Sequence, residues 1–520
     1  MNHFINSLKQ QLKPPSPNNF KKWEWFMSMA QNCSTMEQFL PLHASFITHG
    51  LHNNTYAVSK LLCFCALSEK GSLNYASRVF DQMPQPNSFI FNTLIRAYSR
   101  SSQPHKAIHY FNLMLTNMLG FGTFSLVANH HTFPFVIIAC ANLGLVVEGR
   151  KIHCWVLKNG LGSFDCHVQT ALLRLYVSCK ALGDARKVFD QIAEKDAVHC
   201  NVLISGYLKC DMGLDGLEVF RNMLVTGIEP DEFCVTTGLA ACSKLGALEQ
   251  GKWIHEYVQK RNMLLKDVFV GTALVDMYAK CGCIDMALEV FESMPRRNAV
   301  SWAAIIGGLG MHGDAKRAIG CLRRMYVEDN IRPDGIVLLG VLTACAHAGL
   351  HKEGQFLLDK MVELYGVRPE HEHYSCVVDM LSKAGKLDDS VNVIRGMPMK
   401  PRASVWGALL SGSRIHNNVI LAEVAVKELL LLGEGNEDEE DAAYVQLSYI
   451  YLASQRCDEA RKVRKMIGDK GFKKTAGGSA IEVDGEVHEF VSGESSHPHL
   501  AKIHGILKCM SGDSSHDKGS

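Results

Sequence analysis

Residues 139–156 have the sequence ACANLGLVVEGRKIHCWV, and residues 241–258 have the sequence ACSKLGALEQGKWIHEYV. The two segments agree in their apolar positions, in the placement of glycine and in an Ile-His pair. The Ala-Cys pair that begins both segments occurs a third time at Ala344-Cys345, so the spacings are 102 and 103 residues. A fixed internal period of this kind predicts an array of repeats rather than one globular core.

Each period divides into three helix-turn-helix repeats of unequal length. The first triplet is 166–196, 197–231 and 232–267, and the second is 268–298, 299–334 and 335–370. Within 268–298, two apolar stripes with helical spacing indicate two amphipathic helices. Gly282 separates the stripes and Pro295 follows the second one, where helix breakers belong. The stripes are Ala273, Leu274, Met277 and Tyr278, then Ala287, Leu288, Phe291 and Met294.

The composition is that of an ordinary folded chain without a strong net charge. Of its 520 residues 47% are hydrophobic and 21% are charged, and the formal charge is +1. These values exclude a disordered chain and argue against nonspecific phosphate binding as its main activity. No apolar run reaches the ~18 residues that cross a bilayer, so we expect no membrane segment. Cysteines such as Cys140, Cys242 and Cys345 occupy helix-interior positions suited to a small buried side chain, which indicates a reducing compartment.

Four sequence segments show a specific resemblance to one protein family: FNTLIRAYSR at 91–100, ARKVFDQI at 185–192, GIEPDEF at 227–233 and VFVGTALVDMYAKCG at 268–282. They resemble plant pentatricopeptide repeat proteins of the class that alternates ordinary, long and short repeats. The resemblance implies an all-α fold, a right-handed α-solenoid superhelix of stacked helix-turn-helix repeats over residues 36–401. Short repeats are 55–87, 166–196, 268–298 and 371–401, ordinary repeats are 88–129, 197–231 and 299–334, and long repeats are 130–165, 232–267 and 335–370, with a degenerate long repeat at about 36–54.

The C-terminal part extends the resemblance. VWGALLSGSRIHNNVILAEVAVKELL at 405–430 and YVQLSYIYLASQRCDEARKVRKMIGDKGFKK at 444–474 resemble the E extension, assigned to 402–483. VHEFVSGESSHPHLAKIHGIL at 487–507 resembles the E+ segment, assigned to 484–508, and we expect 509–520 to be a disordered tail. The acidic run from Glu437 to Asp441 is expected to be a loop. In this family such an extension marks factors that specify cytidine-to-uridine editing sites in organelle transcripts.

Many relatives continue into a zinc deaminase domain, which needs a His-x-Glu motif and a Cys-x-x-Cys pair. This chain has no Cys-x-x-Cys. The tripeptide His351-Lys352-Glu353 has the residues of the first motif, but no Cys-x-x-Cys pair accompanies it. Cys281-Gly282-Cys283 supplies two thiols, too few for a structural zinc site. We therefore expect a protein that is not an enzyme, with no metal, cofactor or small-molecule substrate, which recruits a deaminase-domain protein and other editing factors in trans through the E and E+ segments.

The resemblance also implies that each short or ordinary repeat recognises one base of single-stranded RNA through its fifth and last residues. The second residue of a repeat packs on the base plane, which nominates Phe89, Val198, Phe269 and Val300. Asn, Asp and Thr also favour helix caps, so we expect capping to account for about half of the last residues, but less well for the polar fifth residues. The base-recognising pairs are Ser59 with Asn87, Asn92 with Asn129, Thr170 with Asp196, Asn201 with Asp231, and Thr272 with Asn298.

The family's correspondence assigns these pairs to adenine, cytosine, guanine, uracil and adenine. The long repeats offer Pro134, Thr236 and Leu339 at the fifth position and stay unassigned. Ala303, paired with Asp334, cannot hydrogen-bond a base, and Ser375 with Pro401 leans only toward a purine. The expected target is 5′-A-C-n-G-U-n-A-n-n-n-n-n-n-C, with the final cytidine edited.

An organelle address is expected in residues 1–35, although the match to a transit peptide is weak. The first 23 residues contain four lysines and no acidic residue, but also no arginine. A mitochondrial location is preferred, with the chloroplast as the alternative. Two other functions stay open: a splicing, stability or translation factor for organelle RNA, and a protein-binding scaffold like the tetratricopeptide arrays. Those arrays keep one repeat length of about 34 residues, whereas this chain alternates three lengths.

Overall fold

Pairs of antiparallel helices follow one another along the chain in the computed structural model, which describes residues 28–29, 33, 35–83, 85–120, 128–160, 165–263, 267–432, 437–470, 477–483, 486–493 and 499–513. The chain divides into two compact units, residues 1–230 and residues 231–520. In each unit the first helix of a repeat packs against the first helices of its neighbours, and the second helix packs against its own first helix. This arrangement is an all-α solenoid, as predicted.

Among its described residues, the N-terminal unit contains eleven helices with assigned bounds. They are α1 (Met36–Thr48), α2 (Thr55–Leu67), α3 (Leu73–Asp81), α4 (Ser88–Ser99), α5 (His105–Gly120), α6 (Phe133–Asn142), α7 (Val146–Lys158), α8 (Cys166–Ser178), α9 (Leu182–Gln191), α10 (Ala197–Lys209) and α11 (Gly213–Val225), with a single 3-10 turn at Leu51–Asn53.

The C-terminal unit continues the same pattern and adds a small sheet. Its elements are α12 (Glu232–Leu245), α13 (Leu248–Lys260), α14 (Val268–Lys280), α15 (Ile284–Ser293), α16 (Ala299–Met311), α17 (Ala315–Val327), α18 (Gly335–Ala348), α19 (His351–Tyr365), α20 (His371–Lys383), α21 (Leu387–Arg395), α22 (Ala403–Ile415), α23 (Val419–Leu432), α24 (Glu437–Ala453), α25 (Cys457–Lys470), β1 (Gly478–Val483), β2 (Glu486–Val491) and α26 (Leu500–Asp513). The helices α22 to α25 share one hydrophobic core with α20 and α21, so the stacking does not stop at residue 401.

Close contacts between helices explain why a glycine recurs in each period of the sequence, at Gly149, Gly251 and Gly354. In the second helix of each long repeat, a Cβ atom on the glycine would collide with a side chain on the first helix of the next short repeat. Only glycine permits that approach without moving the neighbour. The pairs are Gly149 with Leu175, Gly251 with Met277, and Gly354 with Met380.

The Ala-Cys pairs of the period are buried, as predicted. Cys140 and Cys242 are fully inaccessible, Cys345 is 1% exposed, and every cysteine whose side chain the structure describes is a free thiol. Burial raises the pKa of Cys345 to about 11. A buried, protonated thiol packs as a small apolar side chain, which suits the contact between neighbouring first helices.

The Ile-His pair of the period has a structural role. His153 Nδ1 lies 2.9 Å from the Tyr176 hydroxyl, and His255 Nδ1 lies 2.9 Å from the Tyr278 hydroxyl, in each case linking a long repeat to the next short repeat. His43 makes a similar bond to Tyr75, at 2.7 Å. Burial lowers the pKa of all three imidazoles.

These histidines predict a protein that loses stability in mild acid. An unfolded histidine titrates at about pH 6.5, whereas the buried rings have lower pKa values, so the unfolded state binds more protons between the two pKa values. The free energy of unfolding should therefore fall as pH drops through that interval. Thermal midpoints at about pH 7.5 and about pH 5.5 measure the effect. His255→Gln, which keeps a partner for Tyr278, should show a smaller fall; equal pH sensitivity in the two proteins would contradict the assignment.

Two C-terminal features differ from the sequence predictions. Residues 437–441 begin α24 instead of forming a loop, because carboxylates are favoured in the first turn of a helix by the helix dipole. Residues 478–491 contain an antiparallel hairpin that the all-α prediction lacked, with Gly478 opposite Val491 and Val483 opposite Glu486. The Asp484-Gly485 pair between the strands is a hairpin turn signal that the helical pattern of the chain obscured.

None of the helices in the described ranges combines the length and the apolar character that a bilayer crossing requires.

Candidate nucleic-acid interface

Exposed apolar side chains recur at the second residue of the repeats, just inside the start of the first helix. Phe269 is 62% exposed and Val300 is 56% exposed, although both are large and apolar. Phe89 and Val198 in the N-terminal unit are also exposed. Because the helix cores bury most residues of this type, a repeated exposed apolar position indicates a surface kept for binding.

The second residues of four successive repeats line one groove in the C-terminal unit. The groove has a volume of about 710 Å³ and extends along the starts of α12, α14, α16 and α18. Its wall is mostly apolar, interrupted by hydroxyl and carboxylate groups. The lining residues are Phe233, Phe269, Val300 and Ile336, the fifth residues Thr236, Thr272 and Ala303, and Glu232, Asp267, Ala273, Asp276 and Ala304.

Phe233 and Ile336 were missed in the sequence analysis. They are the second residues of the long repeats 232–267 and 335–370, and long repeats are left without an assigned base in the sequence prediction. Both are among the more exposed apolar side chains of the groove, at 71% and 70%. The signal was available, since they occupy the same position in their repeats as Phe269 and Val300.

The fifth residues differ in accessibility. Thr272 is half-buried at the groove, and its hydroxyl donates to the Val268 carbonyl at 2.8 Å, which leaves oxygen lone pairs as acceptors. Thr170 and Asn201 are also half-buried. Ser59 is only 4% exposed and its hydroxyl donates to the Tyr56 carbonyl at 2.7 Å, so the structure buries this residue within α2.

The last residues of the repeats cap helices. In four of the five pairs the side-chain oxygen accepts a backbone N–H of the next first helix, at 2.8–3.1 Å. Capping therefore operates at four of the five last residues, whereas the sequence prediction was about half. A cap uses one oxygen, so an asparagine keeps its amide donors and an aspartate its second oxygen for another partner. The caps are Asn87 to Ile90, Asp196 to His199, Asp231 to Cys234, and Asn298 to Ser301.

The pair Asn92 and Asn129 is organised by a residue that the sequence analysis did not name. Helix α6 begins at Phe133, so its cap residue is Thr132 and Asn129 lies three residues earlier. The buried Thr132 hydroxyl donates to Asn92 Oδ1 at 2.7 Å and lies 3.4 Å from Asn129 Oδ1. Thr132 therefore links the two members of this pair.

Carboxylates give the groove a negative rim. Glu232, Asp267 and Asp276 contribute to its wall, and no lysine or arginine is among the described lining residues. Lys280 neutralises Asp276 through an ion pair of 2.7 Å, one turn further along α14. This wall suits flat, uncharged rings with polar edges, such as nucleobases, better than phosphate groups.

The His-x-Glu motif at His351 and the Cys-Gly-Cys motif at Cys281 lie outside the groove. His351 begins α19, where its Nδ1 lies 3.3 Å from the Gly349 carbonyl, and Cys281 and Cys283 flank the turn between α14 and α15. In the described part of the chain, no cluster of three or more His, Cys, Asp or Glu side chains is placed to hold a metal ion.

Comparisons with known proteins agree with this organisation. The PPR repeat model matches residues 89–118, 198–228, 272–298, 300–329 and 372–400. A putative pentatricopeptide repeat-containing protein of Arabidopsis thaliana is 54% identical over 495 residues, covering 95% of this chain and 97% of the relative. Another from the same plant is 35% identical, covers 93% of this chain and 76% of the relative, and is named chloroplastic/mitochondrial.

Two of the solved structures to which this chain is similar are RNA complexes. The pentatricopeptide repeat protein PPR10 in complex with an 18-nt psaJ RNA element has 14% identity and a TM-score of 0.38, covering 87% of this chain and 83% of that one. Yeast Rmd9p in complex with a 16-nt target RNA has 11% identity and a TM-score of 0.34, covering 87% and 97%.

Proposed function

Because this chain belongs to the pentatricopeptide repeat family, we propose that it is a sequence-specific single-stranded RNA-binding factor that selects sites for cytidine-to-uridine editing in plant organelle transcripts. The observation that carries the RNA-binding part is the groove. Its exposed second residues recur once per repeat, beside polar fifth residues such as Thr272. Bases can stack on the former and meet hydrogen-bonding groups on the latter.

Binding to designed RNA tests the base assignments. The probe has the pattern 5′-A-C-n-G-U-n-A, and the control strand has the same composition with the five assigned bases scrambled. We expect tighter binding of the patterned strand, with the weakest discrimination at the first adenine because Ser59 is buried. Equal affinity for the two strands would contradict the assignment, whereas no binding to either strand would contradict RNA binding itself.

Thr272→Asn should change the base preferred at the seventh position. The pair Thr272 with Asn298 is assigned to adenine, and an Asn-Asn pair, as at Asn92 and Asn129, is assigned to cytosine. The substitution replaces a hydroxyl by an amide at the groove wall and leaves the Asn298 cap intact. Affinities for four strands that differ only at this base measure the shift, which should be about 1–3 kcal/mol in favour of a pyrimidine. Thr236→Asn, in a long repeat without an assigned base, is the control and should leave these four affinities in the same order.

The editing part of the proposal assigns the chemistry to a partner. The array selects the site, and residues 402–508 place a separately encoded deaminase at the downstream cytidine. The resemblance of residues 405–430, 444–474 and 487–507 to the E and E+ segments supports this assignment of site selection and chemistry to two proteins. The organelle assignment, mitochondrion with the chloroplast as alternative, has support from the relative named chloroplastic/mitochondrial.

Comparing organelle transcripts between normal and loss-of-function plants tests this part. We expect one or a few cytidines to stay unedited, downstream of a sequence with the proposed pattern. Complete editing together with an altered splicing pattern, transcript level or translation would instead favour a splicing, stability or translation factor for organelle RNA. A protein that binds neither RNA strand but retains a protein partner would favour the scaffold function.

A further inference from the structure

The C-terminal hairpin, residues 478–491, contacts the repeat array at a distant point of the chain. Every residue of β1 is exposed except Glu482, which is half-buried. The Glu482 Oε2 atom accepts a hydrogen bond of 3.0 Å from the backbone N–H of Glu249, 233 residues earlier. Glu249 is in the first turn of α13, the second helix of the long repeat 232–267.

The sequence of helix α13 supplies no side-chain cap of its own. Its N-cap residue is Ala247, which has no side-chain oxygen, and the first N–H groups of a helix have no partner within the helix. The second helices of the other two long repeats begin in the same way, after Leu145 and Leu350, without a side-chain cap. A carboxylate is the preferred partner at a helix N-terminus, because the helix dipole is positive there.

A second observation places the Glu482 carboxylate among the helices. Its other oxygen, Oε1, is buried without a hydrogen-bond partner in the described part of the structure. Burial first, then the Cys283 thiol and the Glu482 carboxylate, raise the pKa of Cys281 to about 11. Cys281 directly follows α14, so the carboxylate lies close to both α13 and the end of α14. A charged side chain turned inward from an otherwise exposed strand indicates a docking contact and not a chance surface approach.

We propose that Glu482 docks the C-terminal hairpin on the long repeat 232–267 by capping α13. The contact fixes the C-terminal extension to the array at a second place, beyond its continuous packing on α20. It also determines where the exposed apolar side chains Ile481, Val483 and Val491 are presented. The inference rests on the contact alone and does not depend on the RNA target or on editing.

Hydrogen exchange on the full chain tests the docking. In Glu482→Ala we expect the Glu249 amide and the β1 and β2 amides to exchange about fivefold faster, the ratio that corresponds to a typical side-chain cap. Glu482→Gln keeps an acceptor oxygen without the charge and should give an intermediate increase. Ser479→Ala, at an exposed position of the same strand, is the matched control and should exchange like the unchanged protein.

Thermal unfolding followed by circular dichroism should be unchanged in all three variants, because the hairpin lies outside the helix cores. Wild-type exchange rates in Glu482→Ala would overturn the proposal. So would hairpin amides that already exchange at the rate of an unstructured peptide in the unchanged protein. Faster hairpin exchange in Glu482→Ala with an unchanged rate at Glu249 would also overturn it, since the hairpin would then be stabilised by another contact.

Discussion

Phe269→Ala is expected to weaken the binding of single-stranded RNA by roughly 5- to 150-fold, the equivalent of about 1–3 kcal/mol for one stacked base. Phe269 is 62% exposed at the start of α14, and its ring contributes to the groove wall beside Thr272. An alanine leaves the helix and its Asp267 cap unchanged and removes only the flat surface. Fluorescence anisotropy with labelled RNA of the proposed pattern measures the loss.

The loss at Phe269 should be the same for every base at the seventh position, because stacking does not distinguish base edges. This separates Phe269→Ala from Thr272→Asn, which should change the order of preference. Phe356→Ala is the matched control, since Phe356 is 60% exposed on α19 and does not line the groove. Equal affinity of Phe269→Ala and Phe356→Ala would show that the groove is not where RNA stacks.

Phe233→Ala extends the same test to a long repeat. Its ring is 71% exposed and lines the same groove one repeat earlier. If long repeats contribute stacking without recognising a base, Phe233→Ala should weaken binding about as much as Phe269→Ala and should not alter base preference. An unchanged affinity would restrict RNA contact to the short and ordinary repeats.

The helical array was predictable because its signals repeat. The Ala-Cys, glycine and Ile-His positions each correspond to one contact between neighbouring repeats: a buried thiol such as Cys242, a close approach at Gly251, and a bond from His255 to Tyr278. A contact formed once per period produces a sequence signal once per period. Local spacing was therefore sufficient to predict an array of helix pairs.

The remaining features depend on single contacts, which leave no repeated signal. Glu482 contacts Glu249 once across 233 residues, so neither the hairpin nor its docking was predictable from periodicity. Thr132 links Asn92 to Asn129 because α6 begins three residues later than the repeat pattern suggested. Last residues such as Asn298 cap helices and are also proposed partners for bases. This double role could be recognised only from the geometry of the first helical turn.

Trp302→Ala is expected to cause the largest loss of stability, about 3–5 kcal/mol. Trp302 is fully buried in α16, and its ring packs edge-on against Phe291 with centroids 4.6 Å apart. Its Nε1 donates to Asp329 Oδ2 at 2.9 Å, and the guanidinium groups of Arg297 and Arg324 lie over the ring. Truncation creates a cavity, removes two cation–π contacts and leaves the Asp329 carboxylate without its indole partner.

Thermal or urea unfolding measures this loss, with Trp253→Ala as the matched control. Trp253 is 47% exposed on α13, so its truncation should change stability by less than about 0.5 kcal/mol. In an array each repeat is stabilised by its neighbours, so faster hydrogen exchange in Trp302→Ala should be centred on α15, α16 and α17. Similar losses in the two variants would contradict a stability concentrated at the buried contacts between repeats. Val300 and Ala303 line the groove from the same helix, so a destabilised α16 should weaken RNA binding without changing which base is preferred beside Thr272.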